Sequence, residues 1–161
     1  MATWDPITDK RIALLHPKIR EDVEWIINTV EDELEIRLRV TQGLRTFAEQ
    51  DALFNQPRDG KDNDGDGRID EADEKVTNAR AGDSYHNYGL AFDVVEILRG
   101  QANWNTKYRD IAAIAARKGF DWGGNFKTLV DRPHFQKTFG YSIAKLKQTR
   151  KQGNYPVIQT P

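Results

Sequence analysis

The stretch SYHNYGLAFDVV, residues 84–95, decides how this chain is read. Its second half has the make-up of a strand entering a core, with Gly89 permitting a tight entry. Asp93 stands inside that strand among Ala91, Phe92, Val94 and Val95. A carboxylate left unpaired in apolar surroundings is costly, so Asp93 must have a partner. It shares a strand face with Ala91 and Val95, opposite Leu90, Phe92 and Val94. Ala91 is small and leaves room beside whatever Asp93 binds. His86 lies just upstream, and a histidine near a buried carboxylate raises the question of a metal.

Composition limits the answer. The 161 residues are enough for one domain, 1–161, with its own core. Hydrophobic residues at 38% and charged residues at 30% are those of an ordinary globular protein. A net charge of −1 gives no bulk attraction to nucleic acid or membrane, and a monomer is expected. There is no cysteine, so any zinc must be held by His, Asp or Glu. The N-terminal MATWDPITDKRIALLHP lacks the basic start and apolar run of a secretory signal, and no run approaches the ~20 apolar residues of a membrane span. The expectation is synthesis and storage in the cytoplasm.

The pattern along the chain is α+β. HPKIREDVEWIINTVEDELEI places Ile19, Val23, Ile26, Ile27 and Val30 at helical spacing. EIRLRVTQ alternates Ile36, Leu38 and Val40 with charges, as a half-buried strand does. TFAEQDALFNQ reads as a helix with Phe47, Leu53 and Phe54 as its apolar side, stopped by Pro57. KYRDIAAIAARKG is a further helix ending on Gly119, HFQKTF a short strand, and SIAKLKQTRK a last helix before an extended tail.

DNDGDGRIDEAD, residues 62–73, follows the EF-hand calcium-loop template. Asp62, Asp64 and Asp66 take positions 1, 3 and 5, and Gly67 takes the sharp turn at 6. Arg68 offers its carbonyl at 7, Ile69 fills position 8, and Asp70 at 9 acts through water. Asp73 closes the loop where a longer Glu is usual, with Glu74 as a slipped substitute. The plain alternative is a solvated Asp-Gly turn. Without a cation, however, so many close carboxylates repel one another. One loop with a short exit helix suits a structural clip better than a groove-opening sensor.

A catalytic zinc needs three protein ligands and an open position. Of the three histidines, His16 reads as a helix-entry residue before Pro17. His86 and His134, with Asp93, would supply the set. The alternatives are a hydrogen-bonded loop histidine at 86 and a turn histidine at 134, and spacing alone leaves them open.

SYHNYGLAFD resembles the Ser-x-His-x-x-Gly-x-Ala-x-Asp signature of the LAS metallopeptidases, which include VanY-type D-Ala-D-Ala carboxypeptidases and L-alanyl-D-glutamate endopeptidases of bacteria and phages. TQGLRTFAEQDALFNQ is similar to that family's arginine-bearing segment, and GFDWGGNFKTLVDRPHFQ to its second metal motif. The likeness spans roughly residues 10 to 150 in the family's order. It implies a small antiparallel sheet carrying the zinc site, packed with several helices in a hedgehog/D-Ala-D-Ala peptidase-like fold. The EF-hand-like calcium loop is longer than the family's usual connection and reads as an insertion just upstream of His86. The resemblance further marks residues by role. It implies His86, Asp93 and His134 as zinc ligands, Asp131 as the catalytic carboxylate, and Arg45 as the group that steadies the scissile carbonyl. Ser84 and Trp122 are expected to contact substrate, with Phe126 as a further candidate for the cleft wall; the plain alternative for both aromatic rings is packing. Pro133 argues that Asp131 and His134 approach through a turn and strand start rather than along a helix.

The sequence departs from the family pattern where Asn125 and Phe126 follow the Gly-Gly pair in place of Asp and Trp. The function implied is a zinc-dependent hydrolase of peptidoglycan stem peptides, cutting between L-Ala and D-Glu, released by a holin as a phage endolysin. The alternatives are a D-Ala-D-Ala carboxypeptidase with the same zinc chemistry, or a non-catalytic zinc- and calcium-binding module.

Overall fold

The computed structural model describes residues 2–56, 77, 79–153 and 155–159. The acidic segment 62–73, with Asp62, Asp64, Asp66, Arg68, Asp70 and Asp73, lies outside the described residues.

Helix α1 (Pro6–Ile12) starts with Pro6 in its first turn and Asp5 as its cap, whose Oδ2 accepts from the Thr8 N–H. The polar sequence PITDKRI hides this helix from a hydrophobic-pattern reading. Helix α2 (Arg20–Leu34) buries Val23, Ile26, Ile27 and Val30, as the spacing predicts, and ends on Glu35 in the left-handed region at φ 57°. Strand β1 (Leu38–Gln42) follows. Its outer edge is sealed by the N-terminal segment: Thr8 Oγ1 accepts from the Val40 N–H, Arg11 Nη1 donates to the Val40 carbonyl, and Trp4 Nε1 donates to that of Leu38. Edge groups satisfied in this way cannot recruit another strand.

Helix α3 (Phe47–Phe54) is fixed by a capping box between Thr46 and Glu49. Its inward side differs from the expected one. Phe47 is 42% exposed, Leu53 and Phe54 are half-buried, and the residue fully buried is Gln50. The cause is what the helix faces: a polar cluster of Arg45, Asn87, Thr77 and Ala79, not the apolar core.

Strand β2 (Ala91–Leu98) is the centre of the main sheet. It turns at Arg99 and Gly100 into β3 (Gln101–Asn103). Helix α4 (Tyr108–Ala116) closes with Gly119 at φ 80°, the Gly119 N–H on the Ala116 carbonyl and the Phe120 N–H on that of Ala115. Strands β4 (Asp121–Trp122) and β5 (His134–Gln136) complete the sheet in the order β1-β2-β5-β4, with β3 also on β2; all pairings are antiparallel. Helix α5 (Ile143–Gln148), capped by Ser142, leads to the hairpin β6 (Lys151–Gln152) and β7 (Tyr155–Pro156). The antiparallel sheet with its surrounding helices matches the expected α+β class.

The core lies behind β2 and β5. Phe92 stacks on Phe135 at 5.7 Å and meets Phe120 edge-on at 5.6 Å. Truncating a ring of this kind to Ala costs about 3–5 kcal/mol. His16 is more than a helix-entry residue. It is buried, its Nε2 donates to the Pro156 carbonyl at 2.7 Å, and its Nδ1 accepts from the Lys18 N–H. Gly89 sits beside it at φ 70°, and a Cβ there would lie 2.6 Å from the His16 nitrogen. No other residue fits at position 89, the entry to β2.

Candidate active site

Strand register assembles the site. Asp93 of β2 stands directly opposite His134 of β5. Such pairs share a sheet face, with Cβ atoms about 4.5–5.5 Å apart. On the other side, a bulge between Val40 and Gln42 brings Gln42 opposite Asp93. His86 comes from a 3-10 turn (Tyr85–Tyr88) that Ser84 caps by accepting from the His86 N–H. Asn87 braces this turn, its Oδ1 accepting from Gly82 and Ser84 and its Nδ2 donating to the Arg45 carbonyl.

Three donor atoms converge. His86 Nε2 lies 3.2 Å from His134 Nδ1 and 3.4 Å from Asp93 Oδ1, and His134 Nδ1 lies 3.1 Å from Asp93 Oδ1. Ligands about 2.1 Å from a tetrahedral zinc are about 3.4 Å from one another, so the spacing fits that ion. The far ring nitrogens agree. His86 Nδ1 donates to the Gly43 carbonyl at 2.9 Å, and His134 Nε2 donates to Gln136 Oε1 at 2.8 Å. Each outer acceptor fixes the tautomer that leaves a lone pair facing the centre. Burial pushes the Asp93 carboxyl up. His134 and His86, when each carries a proton on its inner nitrogen, hydrogen-bond to it and hold it well below the usual carboxylate range. A cation at the centre would take the place of those protons. Asp93 is therefore an anion at the bottom of the cleft, suited to a cation.

Arg45 and Asp131 line the same cleft of about 380 Å³ as His86, His134 and Asp93, together with Gln42, Ser84 and Leu53. Arg45 lies between β1 and α3, with its N–H on the His86 carbonyl at 3.0 Å. Burial lowers its affinity for its proton, and Asp93, Glu49 and Asp131 oppose that. Asp131 is set by a turn: its N–H donates to the Gly123 carbonyl at 3.0 Å, and its own carbonyl accepts from the His134 N–H at 3.2 Å. Lost hydration and the Asp93 charge raise the Asp131 carboxyl above the ordinary range, against the pull of His134, His86 and Arg45. A raised carboxyl is better matched to accepting and returning a proton.

Five of the expected residues thus meet in one cleft: His86, Asp93, His134, Asp131 and Arg45. Ser84 joins the lining, with its hydroxyl engaged on the turn it caps. Trp122 does not belong to the lining. Its Nε1 donates to the Arg132 carbonyl at 2.6 Å and its ring lies where a side chain on Gly124 would be, so it braces the loop that carries Asp131. Phe126 instead flanks the metal site, 5.7 Å from the His134 ring. Sequence reading missed Gln136, Gln42, Gln50 and Gly123. A Cβ on Gly123 would come 2.1 Å from the Asp131 carbonyl, so the approach needs glycine. The Gly-Gly pair was the visible signal for it; neutral glutamines carry none.

The chain is similar to known proteins. A family model described as D-alanyl-D-alanine carboxypeptidase matches residues 77–137, which include His86, Asp93, Asp131 and His134. The chain is 33% identical over 133 residues to the peptidoglycan L-alanyl-D-glutamate endopeptidase CwlK of Bacillus subtilis, covering 76% of this chain and 72% of that one. Its structure is similar to that of the L-Ala D-Glu endopeptidase ChiX of Serratia marcescens, with a TM-score of 0.60 and 26% identity over 85% of this chain and 90% of that one. A zinc-bound variant of the vancomycin-resistance D,D-pentapeptidase VanY shares the fold, with a TM-score of 0.58 and 18% identity over 76% of this chain and 72% of that one.

Proposed function

The chain belongs to the VanY-like D-alanyl-D-alanine carboxypeptidase family of metallopeptidases, and on that premise we propose that it is a zinc-dependent peptidoglycan hydrolase cutting stem peptides between L-Ala and D-Glu. The observation that carries the reading is the convergence of His86 Nε2, His134 Nδ1 and Asp93 Oδ1 in one cleft with Arg45 and Asp131. His86, His134 and Asp93 would hold a zinc ion, which when bound would supply a lowered pKa to a water and polarisation to a carbonyl. The Asp131 carboxylate takes a proton from the attacking water and passes it to the leaving amine nitrogen. Arg45 donates hydrogen bonds to the carbonyl oxygen as negative charge builds there. A purely structural zinc site needs neither group, which speaks against the non-catalytic reading.

The likeness to CwlK and ChiX, both endopeptidases by name, favours L-Ala–D-Glu over D-Ala-D-Ala. Among the described residues no helix is long and apolar enough to cross a membrane. The biological role that suits the chain is that of an endolysin reaching the cell wall through a holin. The acidic segment 62–73 is assigned to calcium, with Asp62, Asp64, Asp66, Arg68, Asp70 and Asp73 as ligands. Envelope calcium would fill it after release and switch activity on. Unchanged activity in zinc-loaded Asp62→Ala plus Asp64→Ala protein, with and without calcium, would discard that switch.

Mass spectrometry of digested peptidoglycan tests the main reading. New D-Glu amino termini, absent with Asp131→Ala, are expected. Release of free D-Ala would move the activity to the carboxypeptidase branch. No cleavage by metal-loaded protein would leave the binding-module reading.

A further inference from the structure

We infer that Gln50 is a positioning residue whose buried side-chain amide holds the Arg45 guanidinium at the cleft. Gln50 is 0% exposed on a helix whose Phe47 is 42% exposed. Burying an amide in preference to an aromatic ring is unfavourable unless the amide is fully hydrogen-bonded. This one is. Its Oε1 accepts from Arg45 Nη1 at 2.9 Å and from Asn87 Nδ2 at 3.4 Å. Its Nε2 donates to the Ala79 carbonyl at 2.7 Å and to Thr77 Oγ1 at 3.4 Å.

The amide has one workable orientation. A guanidinium only donates and a backbone carbonyl only accepts, so the flipped amide would set donor against donor and acceptor against acceptor. Among the described residues, the hydrogen bond to Gln50 is the one side-chain partner of Arg45, and Arg45 Nε is buried without any. A neutral amide in this place has a consequence that a carboxylate would not. It fixes the guanidinium without neutralising it, so the positive charge stays available to an oxygen in the cleft. The same amide ties Arg45 to residues 77 and 79.

The inference rests on the proposed role of Arg45, and the test separates the two. Kinetics on soluble muropeptides would compare zinc-loaded Gln50→Met and Gln50→Glu, with Gln50→Met also made in an Arg45→Ala background. Gln50→Met is expected to lower kcat about tenfold or more, with KM and zinc affinity within about twofold of wild type. Gln50→Glu neutralises the guanidinium and sets an oxygen against the Ala79 carbonyl, so it should lower kcat about tenfold or more as well. In the Arg45→Ala background, Gln50→Met should change kcat by less than about twofold, because the group it positions is gone. Should Gln50→Met fail to fold, Gln50→Asn withdraws the acceptor by one methylene, keeps the polar cavity and carries the same expectation.

Full kcat in Gln50→Met or Gln50→Asn alongside a large loss in Arg45→Ala would overturn the inference alone. Equal losses of kcat with and without Arg45 would also overturn it, since Gln50 would then act independently. Unchanged kcat in Arg45→Ala would overturn the reading of Arg45 and the inference with it.

Discussion

The two sides of the cleft are built by different means. The floor is sheet: Asp93 and His134 are cross-strand partners, and Phe92 and Phe135 on the adjoining positions stack in the core. The rim is helix and loop, where Arg45 is held by one buried amide and Asp131 by a turn over Gly123. On the floor, apolar packing behind the strands and the register between them place the donors, and shifting β5 by one residue would turn His134 to the opposite face. On the rim, position depends on single hydrogen bonds and on one missing Cβ. Damage to the floor should therefore abolish metal binding and activity together. Damage to the rim should lower turnover and leave the metal in place.

The largest expected effect is on the floor. His134→Ala or Asp93→Ala should leave no tight zinc site and reduce peptidoglycan cleavage to background, as read by metal analysis and peptide release. On the rim, Asp131→Asn should keep zinc affinity and lower kcat by roughly 10²–10⁴-fold, the range for a general acid–base group. Loss of zinc in that variant would mean that rim and floor are one unit. Gln136→Leu removes the acceptor for His134 Nε2 and should weaken zinc binding about 10–100-fold, measured by competition with a chelator.

The smallest effect lies far from the cleft. Burial lowers the pKa of His16, helped by Lys18 and Arg20 and opposed by its bond to the Pro156 carbonyl. The unfolded chain then takes up the proton first as pH falls. The stabilisation from neutral His16 is complete above its unfolded pKa of about 6.5 and is lost as pH drops through the lower folded value. Thermal melting at pH 8 and pH 5 should show a smaller loss of Tm in His16→Gln than in wild type.

The floor was the more legible half. Strand β2 could be read from its apolar run, and Asp93 drew attention because its charge contradicted that run. Pairing His86 and His134 with it needed the family resemblance, because no local pattern links ligands from distant segments. The rim was read less well. Arg45 and Asp131 came from the resemblance, while Gln50 was not among the residues named for the inward side of its helix, Phe47, Leu53 and Phe54. The helix faces a polar cluster, so the hydrophobic pattern pointed to the wrong side. For Trp122 the sequence left cleft lining and packing both open, and the structure spends its indole N–H on the Arg132 carbonyl. Helix α1 escaped because its stability comes from an Asp5 cap and from bonds to β1, neither of which has a periodic signature. The β1 bulge that delivers Gln42 is a property of strand pairing and is absent from either strand alone.

The central claim is that register across β2 and β5, with His86 above them, makes one zinc site. Anomalous diffraction at the zinc edge from crystals of the zinc-loaded protein tests it most directly. The account requires one strong peak about 2.0–2.2 Å from each of His86 Nε2, His134 Nδ1 and Asp93 Oδ1. A peak that leaves out Asp93, or one that lies on other residues, would contradict it.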